Sequence, residues 1–250
     1  MIGKLARLRE ALGYPGGRAA MTKARPRSLT SWVICNRLKS LGGTYHTIVD
    51  AGANAGQFAR AAHLCFPEAR ILSFKPLPDV ADRLAANLSD VAGHKIFRTA
   101  LGAADGVTRF HRNSYDQSSS VLPMLHNQGG MLADKREVDE LEVPLARLDS
   151  ALAGEQLQGD CLLKLDLQGN ELAALRGAEK CLGAFRSIIL ETVFEAEYVD
   201  EPLFEEIWEY LHAREFTFER PLNFSHGKSG RIVQMDALFT RRRAKATIPS

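Results

Sequence analysis

A short segment early in the chain combines a single acid with a glycine-rich loop. The sequence from Thr47 to Phe58 reads TIVDAGANAGQF, and its apolar run ends at Asp50. The loop that follows includes Gly52, Ala53, Asn54 and Gly56. Glycine has no Cβ atom and adopts positive φ, so such a loop lets backbone N–H groups approach a ligand closely. Because Asp50 would repel phosphates, we expect a ligand that carries an amino group. A tight turn without a ligand is the alternative.

A second polar group ends another apolar run. In the segment LLKLDLQG, strand alternation places Lys164 and Asp166 on one face and the leucines on the other. Glu191 ends a later apolar run in the same way. A carboxylate at the carboxyl end of a strand can remove or orient the proton of a hydroxyl group. We therefore predict Asp166 as the base, with Glu191 second; a structural ion pair between Lys164 and Asp166 is the alternative.

Other residues are weaker candidates for this chemistry. His111 and His126 lie in or beside a long polar segment and could reach a substrate if that segment closes. Asp166 and Glu191 could instead hold a divalent cation, but no third ligand stands out in the sequence. We predict that the protein uses no metal.

The elements that must position these residues alternate between short apolar runs and helical segments. Strands are predicted at Thr47–Asp50, Arg70–Phe74, Lys95–Thr99, Cys161–Asp166 and Ser187–Thr192. Helices are predicted at Gly56–Leu64, Pro78–Leu88, Asn170–Leu182 and Leu203–Glu215. This alternation is typical of an α/β fold with a doubly wound, mostly parallel sheet. The segments EFTFERPL and GRIVQMDALFT alternate as antiparallel strands do, so we expect the sheet to end in an antiparallel strand.

Two further segments lie outside this pattern. Residues Ile2–Leu12 and Ser28–Leu41 have helical apolar spacing and are separated by the turn-forming GYPGGR, which predicts an N-terminal helical extension. The segment between Phe110 and Glu137 is polar and weakly periodic, and we expect it to be an irregular loop that acts as a lid over the substrate. We predict a basic helical cap at 1–44, a catalytic domain at 45–240 and a basic tail at 241–250.

Charge and composition limit the class of protein. The net charge is only +2, but basic residues far outnumber acidic ones near both ends of the chain. Such ends could contact an anionic partner such as a membrane surface or a glycolipid, or could simply be solvated; we predict no specific nucleic acid. The sequence has no apolar run long enough to span a bilayer and no secretory signal pattern, so we expect a cytoplasmic protein, with attachment to a membrane surface as the alternative. The oligomeric state cannot be read from the sequence.

Taken in order, several motifs resemble those of the FkbM family of S-adenosylmethionine-dependent methyltransferases. They are VDAGANAGQFA, FPEARILSFKPLP, LLKLDLQGNELAALRGAEKCL, ILETVFEAEYVDEPLFEEIWEYL and QMDALFT. The resemblance implies a Rossmann-like class I methyltransferase fold with a seven-stranded sheet, and S-adenosylmethionine as the cofactor. It also implies O-methylation of a sugar, glycan or secondary metabolite, with a small molecule or glycan as substrate. Asp50, Gly52, Ala53, Asn54 and Gly56 would then line the methionine half of the cofactor.

The chain departs from this family at one position. Family members usually carry FEP after the second strand, where the glutamate accepts hydrogen bonds from both ribose hydroxyls, whereas this chain has Phe74-Lys75-Pro76. An ammonium group has no acceptor capacity, so Lys75 cannot reproduce that contact. Ala100 and Leu101 resemble the adenine-side loop of the family. Three interpretations follow: weakened cofactor binding, an acceptor supplied by another loop, or a binding module of the same fold that has lost catalysis. A phosphate-bearing ligand at Lys75 would be a fourth.

We therefore predict an O-methyltransferase, with a catalytically impaired binding module as the alternative. An NAD-dependent oxidoreductase is disfavoured, because the loop lacks the G-x-G-x-x-G spacing and no acid follows the second strand.

Overall fold

The computed structural model describes residues 2–125, 135–227 and 229–242. Within these ranges no helix has both the length and the apolar character that a membrane span requires. The predicted basic tail lies almost entirely outside the described residues, as does His126.

Ten strands and eight α-helices occur in the described residues. The strands are β1 (Thr47–Ala51), β2 (Arg70–Phe74), β3 (Lys95–Phe97), β4 (Ala100–Leu101), β5 (Gly106–Asn113), β6 (Glu137–Ala146), β7 (Cys161–Leu165), β8 (Phe185–Val193), β9 (Phe216–His226) and β10 (Ile232–Arg241). The helices are α1 (Ile2–Gly13), α2 (Gly17–Thr22), α3 (Leu29–Ser40), α4 (Gln57–Cys65), α5 (Pro78–Asn87), α6 (Leu148–Ala151), α7 (Glu171–Arg176) and α8 (Phe204–His212).

Seven of the strands form the central sheet, in the order β3-β2-β1-β7-β8-β10-β9. Neighbouring strands are parallel except that β10 runs antiparallel to both β8 and β9. The chain order reverses between β1 and β7, and ligands of doubly wound sheets bind at such a switch point, outside the carboxyl ends of the strands. The prediction of a doubly wound, seven-stranded sheet with an antiparallel strand near its end is confirmed.

The central strands are apolar because both faces of the sheet are covered. Every residue of β1 and β7 is buried, as expected for parallel strands between two layers of helices. Asp50 and Lys164 are exceptions to this apolar pattern, and they lie opposite each other in the β1/β7 pair. Charged residues at the centre of a buried sheet need a partner of opposite charge, and Asp50 and Lys164 provide this for each other.

The N-terminal helices pack onto the sheet through a shared hydrophobic cluster that includes Ala11, Trp32, Ile48 and Phe58. The Trp32 indole N–H also donates to the carbonyl of Ala11, 3.0 Å away, which ties α3 to α1. One expectation for this region is wrong: part of the segment predicted as a turn forms the short helix α2. The division of the chain at residues 44 and 240 stays a prediction.

A second sheet replaces part of the predicted lid. Strands β4, β6 and β5 form it, in that order, and β5 extends to Asn113. A 3₁₀ turn at Asp116–Ser118 follows. The expectation of an irregular loop from Phe110 is therefore wrong for its first residues, because β5 pairs with β6 along its whole length. Its predicted role as a lid stays a prediction.

Several predicted boundaries also move. The strand predicted to Thr99 ends at Phe97, because Ala100 and Leu101 pair with β6 instead. The helix predicted to Leu182 ends at Arg176, and the helix predicted to Glu215 ends at His212.

Candidate functional site

A cavity of about 590 Å³ opens at the carboxyl ends of the central strands. Residues at or just beyond the ends of β1, β2 and β7 line it, together with residues of β8 and β10 and of the N-terminal segment. This volume lies within the roughly 300–1,000 Å³ that small-molecule sites occupy. The location is the one that the sheet order predicts.

The loop after β1 turns sharply at the edge of this cavity. Gly52, Asn54 and Gly56 all have positive φ, at 82°, 45° and 94°. A Cβ atom added to Gly52 would lie 1.8 Å from the carbonyl oxygen of Asp166, so the loop presses directly against the end of β7. Only glycine permits this approach, which brings the loop next to the predicted base.

Lys164 joins two carboxylates at the floor of the cavity. Its Nζ atom lies 3.4 Å from Asp50 Oδ1 and 3.2 Å from Asp166 Oδ2. Burial alone would lower the pKa of Lys164, but the charges of Asp166 and Asp50 outweigh it and raise that pKa above its ordinary value. Burial raises the pKa of Asp50, against the opposing effect of Lys164. The lysine therefore stays charged and compensates an acid that has no contact with water.

Gln168 fixes the position of Asp166 from the other side. Its Nε2 atom donates to Asp166 Oδ1 at 2.9 Å and to Glu191 Oε1 at 2.7 Å. Its Oε1 atom accepts from the hydroxyl of Tyr198 at 3.0 Å. The amide thus uses both donors and its acceptor, so one side chain holds two candidate catalytic carboxyl groups in place.

Glu191 and Asp236 form a second acidic pair, opposite each other in the β8/β10 ladder. Burial, with the nearby charges of Asp166 and Asp236, raises the pKa of Glu191 well above its ordinary value. Burial also raises the pKa of Asp236, to about 6, although its Oδ2 atom accepts a hydrogen bond from Asn223 at 2.9 Å. Of the three acids Asp166, Glu191 and Asp236, it is Asp166 that lies within ion-pair distance of Lys164.

Lys75 lies at the position where the resemblance described above leads us to expect an acid. It follows β2, lines the cavity together with Pro76, and is only 5% exposed. Its Nζ atom lies 5.7 Å from the centre of the Phe110 ring. Burial lowers the pKa of Lys75 to about 8, against weaker opposing effects of Asp116 and Asp166.

Part of the cavity lining comes from the N-terminal segment and from β9. Arg7 and Arg27 line it from the N-terminal segment, and Asn223 lines it from β9. Arg7 Nη1 donates to Asn223 Oδ1 at 3.1 Å, and Asn223 in turn donates to Asp236. These residues extend the polar lining beyond the carboxylates.

Most of the residues predicted from the sequence line this cavity. They are Gly52, Ala53, Asn54, Lys75, Pro76, Ala100, Leu101, Lys164, Asp166 and Glu191. Asp50 and Gly56 do not line it, and neither does His111, whose Nδ1 atom lies 2.9 Å from Glu137 Oε1 on the second sheet. The roles assigned to these residues, and the absence of a metal, stay predictions.

Sequence reasoning missed Arg7, Asn223 and Asp236. One signal could have found Asp236: it is the single acid in the strand IVQMDALFTR, and alternation places it on the same face as Gln234. No local pattern distinguishes Arg7 or Asn223 from other surface residues.

The residues present fit S-adenosylmethionine in most respects. The glycine loop exposes backbone beside the buried acids, and Ala100 and Leu101 offer small and apolar surface where an adenine ring could lie. The polar floor suits an amino-acid moiety. Lys75 is the one element that does not match a ribose diol in its charged form.

A family model described as the methyltransferase FkbM domain matches residues 50–219. The methyltransferase sdnD of Sordaria araneosa is 29% identical over 169 residues, which cover 58% of this chain and 65% of that protein. The 31-O-demethyl-FK506 methyltransferase FkbM of Streptomyces tacrolimicus is 28% identical, over 53% of this chain and 59% of its own. The hexuronic acid methyltransferase AglP of Haloferax volcanii is 26% identical, over 57% and 54%.

The chain thus spans less than two thirds of the length of these curated relatives. Among solved structures, the Pyrococcus horikoshii methyltransferase PH1948 aligns over 98% of both chains with a TM-score of 0.50 and 11% identity, a likeness that concerns the fold alone. The family match covers more than half of the sequence and contains the glycine loop and the end of β7. The chain belongs to the FkbM family of S-adenosylmethionine-dependent methyltransferases.

Proposed function

We propose that this protein is an O-methyltransferase that methylates a hydroxyl group of a sugar, glycan or secondary metabolite. One observation carries the proposal: the glycine loop after β1 and the side chain of Asp166 after β7 line the same cavity, and Gly52 of the loop packs against the backbone carbonyl of Asp166. The relatives support the acceptor class, since they include a hexuronic acid methyltransferase and an O-demethyl-FK506 methyltransferase.

In this proposal Gly52, Ala53 and Asn54 contact the amino-acid part of the cofactor, and Ala100 and Leu101 contact its adenine. The cofactor, when bound, supplies an electrophilic methyl group. The protein must then align an acceptor oxygen and remove its proton. Alignment of two reactants can lower a barrier by roughly 7–11 kcal/mol, and a positioned base adds on the order of 10²–10⁴-fold.

Asp166 takes the proton of the acceptor hydroxyl in this proposal. Lys164 and Gln168 each hold one of its oxygens, and each oxygen keeps a lone pair for a further hydrogen bond. Its side chain is 35% exposed, so a substrate can reach it from the cavity. Arg7, Asn223 and Asp236 offer donors and acceptors for further hydroxyl groups of a polar acceptor.

A non-catalytic binding module of the same fold is the second candidate, and Lys75 is the observation that favours it. Calorimetry with S-adenosylmethionine and S-adenosylhomocysteine, on the wild type and on Lys75→Glu, separates the two. We expect weak binding by the wild type and tighter binding by the variant. If only the variant binds, the natural protein is a module without cofactor; if neither binds, the proposed function fails.

Enzymatic activity is then tested by mass spectrometry on a panel of hydroxylated acceptors that includes uronic acids, neutral sugars and macrolides. A mass gain of one methyl group on a hydroxyl oxygen supports O-methylation. Transfer to nitrogen or carbon only would contradict it.

A further inference from the structure

Lys75 is a buried lysine without an ion pair. Only 5% of the residue is exposed, and its Nζ atom lies 5.7 Å from the centre of the Phe110 ring in the lining of the cavity. In the described part of the chain, no carboxylate oxygen lies within 4.0 Å of its Nζ atom. Lys164, in contrast, lies between two carboxylates. Burial of an ammonium without a counter-ion costs far more free energy than burial of an uncharged amine.

The two acids whose charges act on Lys75 are both bound to other residues. Asp116, in the 3₁₀ turn, forms ion pairs with Arg83 and with Arg112 at 3.2 Å. Asp166, after β7, is held by Lys164 and Gln168.

The two remaining charges near Lys75 are those of Arg112 on β5 and Lys164 on β7, and both repel an ammonium. The surroundings of Lys75 therefore make its charged form less stable than that of a lysine in water.

Lys75 lies where its amine would meet the ribose of a nucleoside ligand bound in the cavity. In doubly wound folds, the residue at the carboxyl end of the second strand meets the ribose hydroxyls of a nucleoside cofactor. Lys75 follows β2 directly and lines the cavity together with the loop after β1. A protonated lysine has three donors and no acceptor. Loss of the proton frees one lone pair, which can accept a hydrogen bond from a ribose hydroxyl.

We propose that Lys75 binds the cofactor ribose as an uncharged amine, whose nitrogen lone pair accepts a hydrogen bond from a ribose hydroxyl. This inference rests on the proposed function, because it requires a nucleoside cofactor. It makes Lys75 a determinant of cofactor affinity, rather than a sign that cofactor binding has been lost.

A dependence on pH follows. Because burial lowers the pKa of Lys75 to about 8, the free protein carries mostly the ammonium at pH 7 and mostly the amine at pH 9. A ligand that binds only the amine must first displace the proton, so its affinity rises with pH and levels off above about 8. For one such group the expected dissociation constant is about tenfold larger at pH 7 than at pH 9.

The test is calorimetry with S-adenosylhomocysteine between pH 6.5 and 9.5 on four proteins. The amino group of the ligand titrates in a similar range, so a variant must supply the reference profile. Lys75→Gln provides an acceptor that is uncharged at every pH. Lys75→Arg keeps its charge throughout. Lys180→Gln removes an exposed lysine elsewhere, and its profile should match the wild type. Near-UV circular dichroism confirms that each variant is folded.

We expect the wild type to gain about tenfold more affinity than Lys75→Gln between pH 7 and 9. Lys75→Arg should bind at least tenfold more weakly than the wild type at pH 9. Parallel profiles for the wild type and Lys75→Gln would overturn the inference while leaving the proposed function intact. Equal affinity of Lys75→Arg and the wild type at pH 9 would overturn it as well. If the wild type binds at no pH, the proposed function fails and the inference with it.

Discussion

The Nζ atom of Lys164 on β7 lies 3.4 Å from the Oδ1 atom of Asp50 on the neighbouring strand β1, and Asp50 has no exposure to water. In the part of the chain that the structure describes, Lys164 is the cation paired with this acid. Removing one partner of a buried pair leaves an uncompensated charge, at a cost of about 3–5 kcal/mol.

Substitution of Lys164 by methionine should therefore lower the free energy of unfolding by about 3–5 kcal/mol, measured by urea denaturation at pH 7. The double variant Asp50→Asn/Lys164→Met should recover part of this loss, because it removes both charges of the pair. Lys180→Met, at an exposed site, serves as the control. A loss below about 1 kcal/mol in Lys164→Met would show that the pair contributes little.

Two conservative substitutions distinguish the roles of Asp166 and Glu191, the two carboxyl groups that Gln168 contacts. Asp166→Asn should lower the rate of methyl transfer by about 10²–10⁴-fold, because an amide cannot take a proton from the acceptor. Glu191→Gln should stay within about tenfold of the wild type. Burial raises the pKa of Glu191 and so favours its uncharged form, which a glutamine resembles.

The measurement is kcat with the best acceptor from the panel, and cofactor affinity by calorimetry is the control for site integrity. A larger loss in Glu191→Gln than in Asp166→Asn would reverse the two assignments.

Two glycines with the same backbone conformation provide a matched test of the loop. Gly52 and Gly230 have φ values of 82° and 81°, so alanine is strained to a similar degree at both. At Gly230 nothing lies within 4 Å of the new Cβ, whereas at Gly52 the carbonyl oxygen of Asp166 lies 1.8 Å away.

Gly230→Ala should cost about 1–2 kcal/mol of stability and leave cofactor affinity unchanged. Gly52→Ala should cost more and weaken S-adenosylhomocysteine binding at least tenfold, because the loop must move off the end of β7. Urea denaturation and calorimetry measure both effects. Equal stability losses in the two variants would mean that the close approach at Gly52 is not tight in solution.

Glu171 should make stability depend on pH. It is 3% exposed, and burial raises its pKa to about 8 from an ordinary value of 4.5. Between these two values the folded protein holds a proton that the unfolded chain releases. Stability from this group is therefore complete below about pH 4.5 and is lost as pH rises towards 8, by at most about 1.4 kcal/mol per pH unit.

Glu171→Gln should remove this decline, so the difference in unfolding free energy between the variant and the wild type should shift in favour of the variant from pH 5.5 to pH 8. Denaturant unfolding at both values measures it. A difference that does not change with pH would indicate that Glu171 is ionised in the folded protein.

The central sheet could be predicted because its strands are buried on both faces. Runs such as Cys161–Leu165 are apolar at nearly every position, and the polar residues that interrupt or end them mark the site. The glycine loop could be predicted because positive φ restricts the residue type. Asp166 could be placed because it directly follows a predicted strand.

The second sheet could not be predicted in this way. Only two residues of β5 and one residue of β6 are buried, so these strands show little of the apolar alternation that identifies a half-buried strand. The contact between Arg7 and Asn223 is also invisible in the sequence, because it joins residues 216 positions apart and involves no recognisable motif. For Lys75, the sequence revealed the substitution but not its burial.

The family segment ends at residue 219, yet Asn223, Gln234 and Asp236 lie beyond it and Arg7 and Arg27 lie well before it. About a third of the residues that line the cavity therefore lie outside the segment that defines the family. This part of the lining can differ between members of the family without any change in the glycine loop or in the end of β7.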